Sequence, residues 1–171
     1  MKVTIYLAFV LLLANQQSMA QTPYTTQQND RKETILNGII TKYALLNTTP
    51  FSGWYSASQA SYPTNSPLLQ ALQTTNGKVH FIIFGGTWCE DTQQILPKFF
   101  KLQELAGVSD KAISFYGVDR SKHTLGGLDA AFNITNVPTI IIMKGGKELG
   151  RVIEYGKTGK WDVELAQQLT L

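Results

Sequence analysis

The sequence predicts an α/β fold with a mixed central sheet, and two observations carry this prediction. Two continuous apolar runs, Val79 to Phe84 and Ile113 to Val118, are typical of strands that are buried on both faces of a sheet. Helix-like sequence separates these runs, and a strand-turn-strand pattern around Gly145-Gly146 follows them. Strands joined through a helix run parallel, whereas hairpin strands run antiparallel, so the predicted sheet contains both kinds of pairing.

The elements before the first apolar run indicate a helical, aromatic-rich extension. Asp30-x-x-Glu33 resembles a capping box, and apolar residues then recur at helical spacing as far as Leu46, which predicts an amphipathic helix. The turn-rich stretch from Phe51 to Pro67 carries three further aromatic residues, which we expect to pack on the core. The remaining helices and strands are expected at 66–72, 90–105, 125–132, 139–143, 148–155 and 161–169.

The first twenty residues have the pattern of a secretory signal peptide. Lys2 supplies a positive start, Ile5 to Ala14 an apolar stretch, and Ser18-Met19-Ala20 a small-x-small cleavage site before Gln21. The alternative is a membrane anchor, but the apolar stretch is far shorter than the ~20 residues that span a bilayer. We therefore expect a signal peptide at 1–20, an extension at 21–67 and the main domain at 68–171.

Composition and charge limit the classes of partner that the protein can have. The 171 residues carry a formal net charge of +3, with no run of like charges and no basic stripe interleaved with aromatic residues, so a nucleic-acid partner is not expected. Cleavage removes Lys2 and leaves 3 − 1 = +2, without a membrane anchor. We therefore expect a periplasmic or secreted protein.

The one cysteine, Cys89, follows a buried strand and two glycines and opens a predicted helix. Unpaired N–H groups at a helix start favour a thiolate, the form that attacks disulfides and peroxides. Glu90 and Asp91 act in the opposite direction, because their negative charges disfavour another negative charge beside them. The structural alternative is that Cys89 is simply a small buried apolar residue.

The chain resembles the thioredoxin family over roughly residues 68–171. Three landmarks occur in the family's order and at similar spacing: the strand and Trp88-Cys89 turn, Pro97 within the following helix, and Val137-Pro138-Thr139. Residues 86–92 read G-T-W-C-x-D-[ST], similar to a subgroup of small exported bacterial thioredoxin-family proteins. The resemblance implies a three-layer sandwich in which Pro138 is cis and lies beside the cysteine.

We expect a set of site residues around Cys89. Thr92, one helical turn from the sulfur, either donates a hydrogen bond to a thiolate or bonds its own backbone, and Asp91 is a candidate proton gate. The resemblance implies that Trp88, Val137 and Pro138 form the substrate groove. Arg120, on the loop after the second parallel strand, is expected at the same sheet edge, where it attracts an anionic substrate or is simply solvated.

Two positions depart from the dithiol members of the family. Thr92 stands where they have the resolving cysteine, and Ile83 stands where they have a buried aspartate that takes up the resolving thiol's proton. An internal disulfide cycle is therefore impossible. Both departures are consistent with each other, because a protein without a second thiol has no use for the base that activates it.

Three functions compete at this point. The first is thiol-disulfide exchange of the reductase or isomerase type, through Cys89, on exported proteins with disulfides or on small thiols, with an external reductant. The second is a thiol peroxidase, although the Thr that peroxiredoxins carry three residues before the cysteine is Gly86 here. The third is a binding module without turnover. No metal-ligand spacing or phosphate-binding motif is present, so no cofactor is expected.

Overall fold

The computed structural model describes residues 23–170, and the predicted signal peptide at 1–20 lies outside these described residues. The strands are β1 Tyr24–Gln28, β2 Thr34–Ile40, β3 His80–Gly85, β4 Ile113–Gly117, β5 Thr139–Lys144 and β6 Lys147–Ile153. The helices are α1 Lys42–Leu46, α2 Phe51–Ala60, α3 Pro67–Thr75, α4 Glu90–Leu105, α5 Leu128–Ala131 and α6 Trp161–Leu169, and a 3-10 turn spans Asp110–Ala112.

The strands form one mixed sheet with the order β1-β2-β4-β3-β5-β6. The β3 and β4 strands are parallel, and every other neighbouring pair is antiparallel. The predicted α/β class and mixed sheet are therefore confirmed. Because β3 and β4 are parallel, the segments that follow both strands emerge at one edge of the sheet, and the amide of Val118 donates to the carbonyl of Gly85 there (3.1 Å).

The sheet separates two apolar clusters of unequal size. Phe81 and Ile83 point into the larger cluster, to which α2, α3, α4 and α6 contribute their buried faces. Phe84 belongs to the smaller cluster on the opposite face, against which α5 packs through Leu128. Alternate residues of β3 thus enter opposite layers, which is why Phe81 to Phe84 are apolar without interruption.

The predicted helix from Asp30 to Leu46 is wrong, because most of this segment forms a β-hairpin. The Asn29 side chain accepts from the amides of Arg31 and Glu33 (3.0 Å each) and closes the turn between β1 and β2. Gly38 then lies so close to the Pro23 carbonyl that a β-carbon would meet the oxygen at 2.5 Å. The apolar spacing that suggested a helix therefore belongs to a strand, and only α1 is helical.

The aromatic stretch that follows is a helix, α2, rather than the turn-rich segment expected from the sequence. Phe51 and Tyr55 are each 1% exposed and lie in the larger cluster, so the predicted core packing of this stretch is confirmed. The helix α4 has the predicted bounds, as does α6. Within residues 23–170, the helices lack the length and apolar character needed to cross a bilayer.

Candidate functional site at Cys89

Cys89 caps the N-terminus of α4. Its backbone is extended (φ −93°, ψ 122°), and its carbonyl accepts the first helical bond from the amide of Gln93 (3.0 Å). The half-buried side chain makes no capping bond, and its Sγ instead donates to the Val137 carbonyl at 3.2 Å. The sulfur is therefore directed at the loop before β5, across the edge where β3 ends.

The loop that faces the sulfur is held at both ends. The Val137–Pro138 peptide bond is cis, and both residues are buried. The Pro138 carbonyl accepts from the amide of Glu154 (2.7 Å), while the Glu154 carboxylate accepts from the side chain of Asn136 (2.9 Å). The segment after β6 therefore fixes the loop beside Cys89.

Trp88 lies beside the sulfur-bearing residue and is fixed from two sides. Its indole Nε1 donates to the Val118 carbonyl (3.0 Å), and the Arg120 guanidinium stands over its ring, 4.9 Å from the centroid. Arg120 also donates to the Glu33 carboxylate through Nε (3.0 Å), and this bond lowers the pKa of Glu33. The charge of Arg120 is thus already paired with the N-terminal hairpin, which sequence reasoning did not foresee.

Thr92 and Asp91 occupy different environments on the first turn of α4. Thr92 is 1% exposed, and its hydroxyl accepts from the amide of Gly86 (3.2 Å), so its observed bond goes to the backbone rather than to the sulfur. Asp91 is half-buried. Burial, followed by the negative charges of Glu154 and Glu90, raises the pKa of the Asp91 carboxyl.

Sequence reasoning missed two residues of the site, Glu154 and Tyr155. Burial raises the pKa of the Tyr155 phenol, and the negative charge of the Asp91 carboxylate raises it further. A signal for these residues does exist in the sequence. Because β5 and β6 form a hairpin, with Thr139 opposite Ile153, the residues after Ile153 must return to the loop that precedes Thr139.

Thr87 fastens the cysteine loop to the N-terminal hairpin. Its hydroxyl donates to the Thr34 carbonyl (2.9 Å) and accepts from the amide of Leu36 (3.3 Å). The pairing of β2 with β4 ends where Gly38 lies opposite Gly117, and the Thr34 carbonyl and the Leu36 amide lie beyond that end of the pairing. The buried Thr87 hydroxyl therefore bonds two backbone groups of β2 that a longer β4 would otherwise bond.

The arrangement presents a single thiol between a helix N-terminus and a buried, backbone-rich loop. At the position of the family's buried aspartate, Ile83 is fully buried in the larger cluster. Residues 23–170 contain no group of three His, Cys, Asp or Glu side chains placed to hold a metal ion. The chemistry available to these residues is nucleophilic attack by sulfur, with the carboxylates of Glu90 and Asp91 on the first turn of the same helix.

This fold and site define a thioredoxin-like protein, and comparison with known families agrees. The Thioredoxin family model matches residues 64–167, which is more than half of the chain. The chain belongs to the thioredoxin family, and a redox or disulfide function of the thioredoxin type follows from that membership in general terms.

Two solved structures are similar to this chain at low sequence identity. The crystal structure of an HIV epitope scaffold is 16% identical, with a TM-score of 0.52, and the match covers 78% of this chain and 88% of the scaffold. A protein of unknown function from Pseudomonas aeruginosa is 17% identical, with a TM-score of 0.48, over 73% of this chain and 79% of its own. No curated protein matches the sequence significantly.

Proposed function

We propose that the protein is an exported thiol-disulfide exchange protein of the reductase or isomerase type that works through one thiol, Cys89. The observation that carries this proposal is the position of the sulfur. Cys89 caps the N-terminus of α4, and its Sγ faces the buried Val137–Pro138 loop, 3.2 Å from the Val137 carbonyl. A cysteine that served only as a small core residue would not need this placement.

The proposed reaction has two balanced steps. In the first, the Cys89 thiolate attacks one sulfur of a substrate disulfide, so that a Cys89–substrate disulfide forms, the substrate S–S bond breaks and the second substrate sulfur leaves as a thiolate. In the second, a thiolate from the substrate or from an external thiol attacks the substrate sulfur and releases the Cys89 thiolate. The chain has one cysteine, so the thiolate that resolves the mixed disulfide comes from the substrate or from an external thiol.

Deprotonation must precede the first step. In the resting site, the thiol donates its proton to the Val137 carbonyl, a neutral acceptor that cannot take it up. Glu90 and Asp91 are the carboxylates on the first turn of the helix that Cys89 caps, and Asp91 has the raised pKa described above. We assign Asp91 the role of passing this proton to solvent, with Thr92 holding the backbone turn below the sulfur.

Export is the second part of the proposal, and it rests on the first twenty residues of the sequence. A positive start, an apolar stretch and the Ser18-Met19-Ala20 site support cleavage before Gln21. The proposed partners are exported proteins with disulfides, or small thiols, together with an external reductant in the periplasm. Intact mass of the exported form tests this part, since a species that still begins at Met1 would contradict it.

Insulin reduction with dithiothreitol as the external thiol tests the exchange activity. We expect the wild-type protein to accelerate precipitation of the insulin B chain above the uncatalysed rate, and Cys89→Ser to abolish the acceleration. The matched control is Cys89→Ser combined with Gln167→Cys, which keeps one cysteine per chain but moves it to the exposed face of α6. If this control is as active as the wild type, any surface thiol suffices and the proposed site is wrong.

A further inference from the structure

A cavity of about 180 Å³ opens beside Trp88, on the side of the N-terminal hairpin. Phe51 and Thr87 are buried at its floor, and Trp54, Trp88 and Gln93 form half-buried walls. We call it the hairpin pocket. Because Trp88 directly precedes Cys89, the pocket is continuous with the loop that carries the thiol.

The hairpin pocket is built mostly by the part of the chain that precedes the family match. That match begins at residue 64, whereas Thr34, Phe51 and Trp54 come from β2 and α2. The thioredoxin-like domain contributes the opposite wall through Trp88 and Gln93. The N-terminal segment therefore adds a recess next to the cysteine loop that the matched domain does not form from its own residues.

The walls of the hairpin pocket are held in place by hydrogen bonds and packing. The Gln93 side chain donates to the Thr87 carbonyl (2.8 Å), and the Thr87 hydroxyl is bonded to β2. The Phe51 and Trp54 rings pack edge to face, with centroids 6.2 Å apart and an interplanar angle of 63°. The recess is thus formed before anything binds, which lowers the cost of ordering on binding.

Size and chemistry identify the occupant. An apolar cavity of about 150 Å³ holds one benzene ring, so a volume of about 180 Å³ suits the ring of one phenylalanine side chain and its first methylene. Phe51, Trp54 and Trp88 present aromatic faces and edges, which favour another aromatic ring beyond the gain from apolar area alone. The lining also contains Lys32 and Glu33, which carry opposite charges, and Glu33 is already paired with Arg120, so a charged side chain would lose its hydration there without gaining a free partner of opposite charge at Glu33.

We propose that the hairpin pocket is a substrate subsite that binds an aromatic side chain of a polypeptide, close in sequence to the cysteine whose disulfide Cys89 attacks. The subsite rests on the proposed exchange function for its role, but its binding chemistry does not depend on that reaction. It makes the N-terminal hairpin and α2 the determinants of substrate choice.

Redox-inert peptides test the binding chemistry alone. Each seven-residue peptide carries serine at the centre in place of cysteine. Phenylalanine stands at one of the four positions nearest the serine, two on each side, and the reference peptide has alanine at all four. We expect calorimetry to give at least tenfold tighter binding for one phenylalanine peptide than for the alanine reference. Equal affinity across the set would overturn the proposal.

A filling substitution separates the pocket from the fold. Thr34→Leu adds apolar volume inside the pocket and keeps the backbone carbonyl that Thr87 bonds, so we expect a folded protein that no longer prefers phenylalanine. Thr26→Leu, on the exposed face of β1, is the matched control and should keep the preference. If Thr34→Leu retains the tenfold preference, the aromatic ring binds elsewhere and the proposal fails.

The same peptides with cysteine at the centre, as mixed disulfides with nitrothiobenzoate, link the pocket to the reaction. We expect the wild-type protein to release nitrothiobenzoate at least tenfold faster from the preferred phenylalanine peptide, while Thr34→Leu reacts with all peptides at the alanine rate. If no peptide and no 2-hydroxyethyl disulfide reacts with Cys89, the exchange function fails, and the calorimetric preference alone then decides whether the pocket binds aromatic side chains.

Discussion

Thr87→Val offers a direct test of how the N-terminal hairpin is attached to the cysteine loop. Valine has nearly the shape of threonine but removes the hydroxyl that bonds the Thr34 carbonyl and the Leu36 amide. The Leu36 amide is left buried without this partner, which costs about 1–3 kcal/mol, and the part-buried Thr34 carbonyl adds a smaller loss. We therefore expect the free energy of unfolding to fall by about 2 kcal/mol.

Urea unfolding measures this change, with Thr87→Ser as the control that keeps the hydroxyl. With a urea dependence of about 2 kcal/mol per molar, the expected loss moves the midpoint of Thr87→Val down by about 1 M. We also expect faster alkylation of Cys89 in Thr87→Val, because the loop that carries it loses its attachment to β2. Equal midpoints for the valine and serine variants would refute the claim that this hydroxyl replaces strand pairing.

Three further predictions concern the neighbours of the sulfur. Thr92→Cys supplies an internal resolving thiol, so the lifetime of the mixed disulfide at Cys89 should fall about tenfold or more. Quenched-flow mass spectrometry measures this lifetime. The pKa of the Asp91 carboxyl is raised in the folded protein, so the folded protein holds this proton more tightly than the unfolded chain does. The free energy of unfolding should therefore fall as the pH rises from the pKa of Asp91 in the unfolded chain through its pKa in the folded protein. Asp91→Asn should remove this decline in urea titrations from pH 4 to 8. Glu33→Gln should leave the free energy of unfolding nearly unchanged, because the Arg120–Glu33 ion pair is partly exposed to solvent, but it should free Arg120 to speed the reaction with glutathione disulfide relative to neutral 2-hydroxyethyl disulfide.

The elements of the matched domain were readable from the sequence because their local and tertiary preferences agree. Phe81 to Phe84 are apolar throughout because β3 is buried on both faces, and α4 runs from Glu90 to Leu105 between the Cys89 cap and the turn at Gly107. The hairpin was misread because Leu36, Ile39 and Ile40 fit both a helical face and a strand. The contacts that decide between them, at Thr87 and Gly117, are about fifty residues or more away in sequence and leave no local signal.

The candidate site was predicted in part for the same reason. Trp88, Val137 and Pro138 surround Cys89 as the family resemblance implied, because short motifs encode the turn and the loop. Pairing of Arg120 with Glu33 depends on the hairpin that was misread, so it was not foreseen. The approach of Tyr155 depends on the strand register of β5 and β6, which apolar patterning does not specify to one residue.

The most direct test of the central claim is time-resolved intact mass of the reduced native protein after addition of 2-hydroxyethyl disulfide, followed by a second thiol. We expect one adduct per chain, located at Cys89, that accumulates because the chain has no second cysteine and disappears when the second thiol is added. An adduct that forms only in urea, with none on the folded protein, would identify Cys89 as a buried core residue and contradict the exchange function.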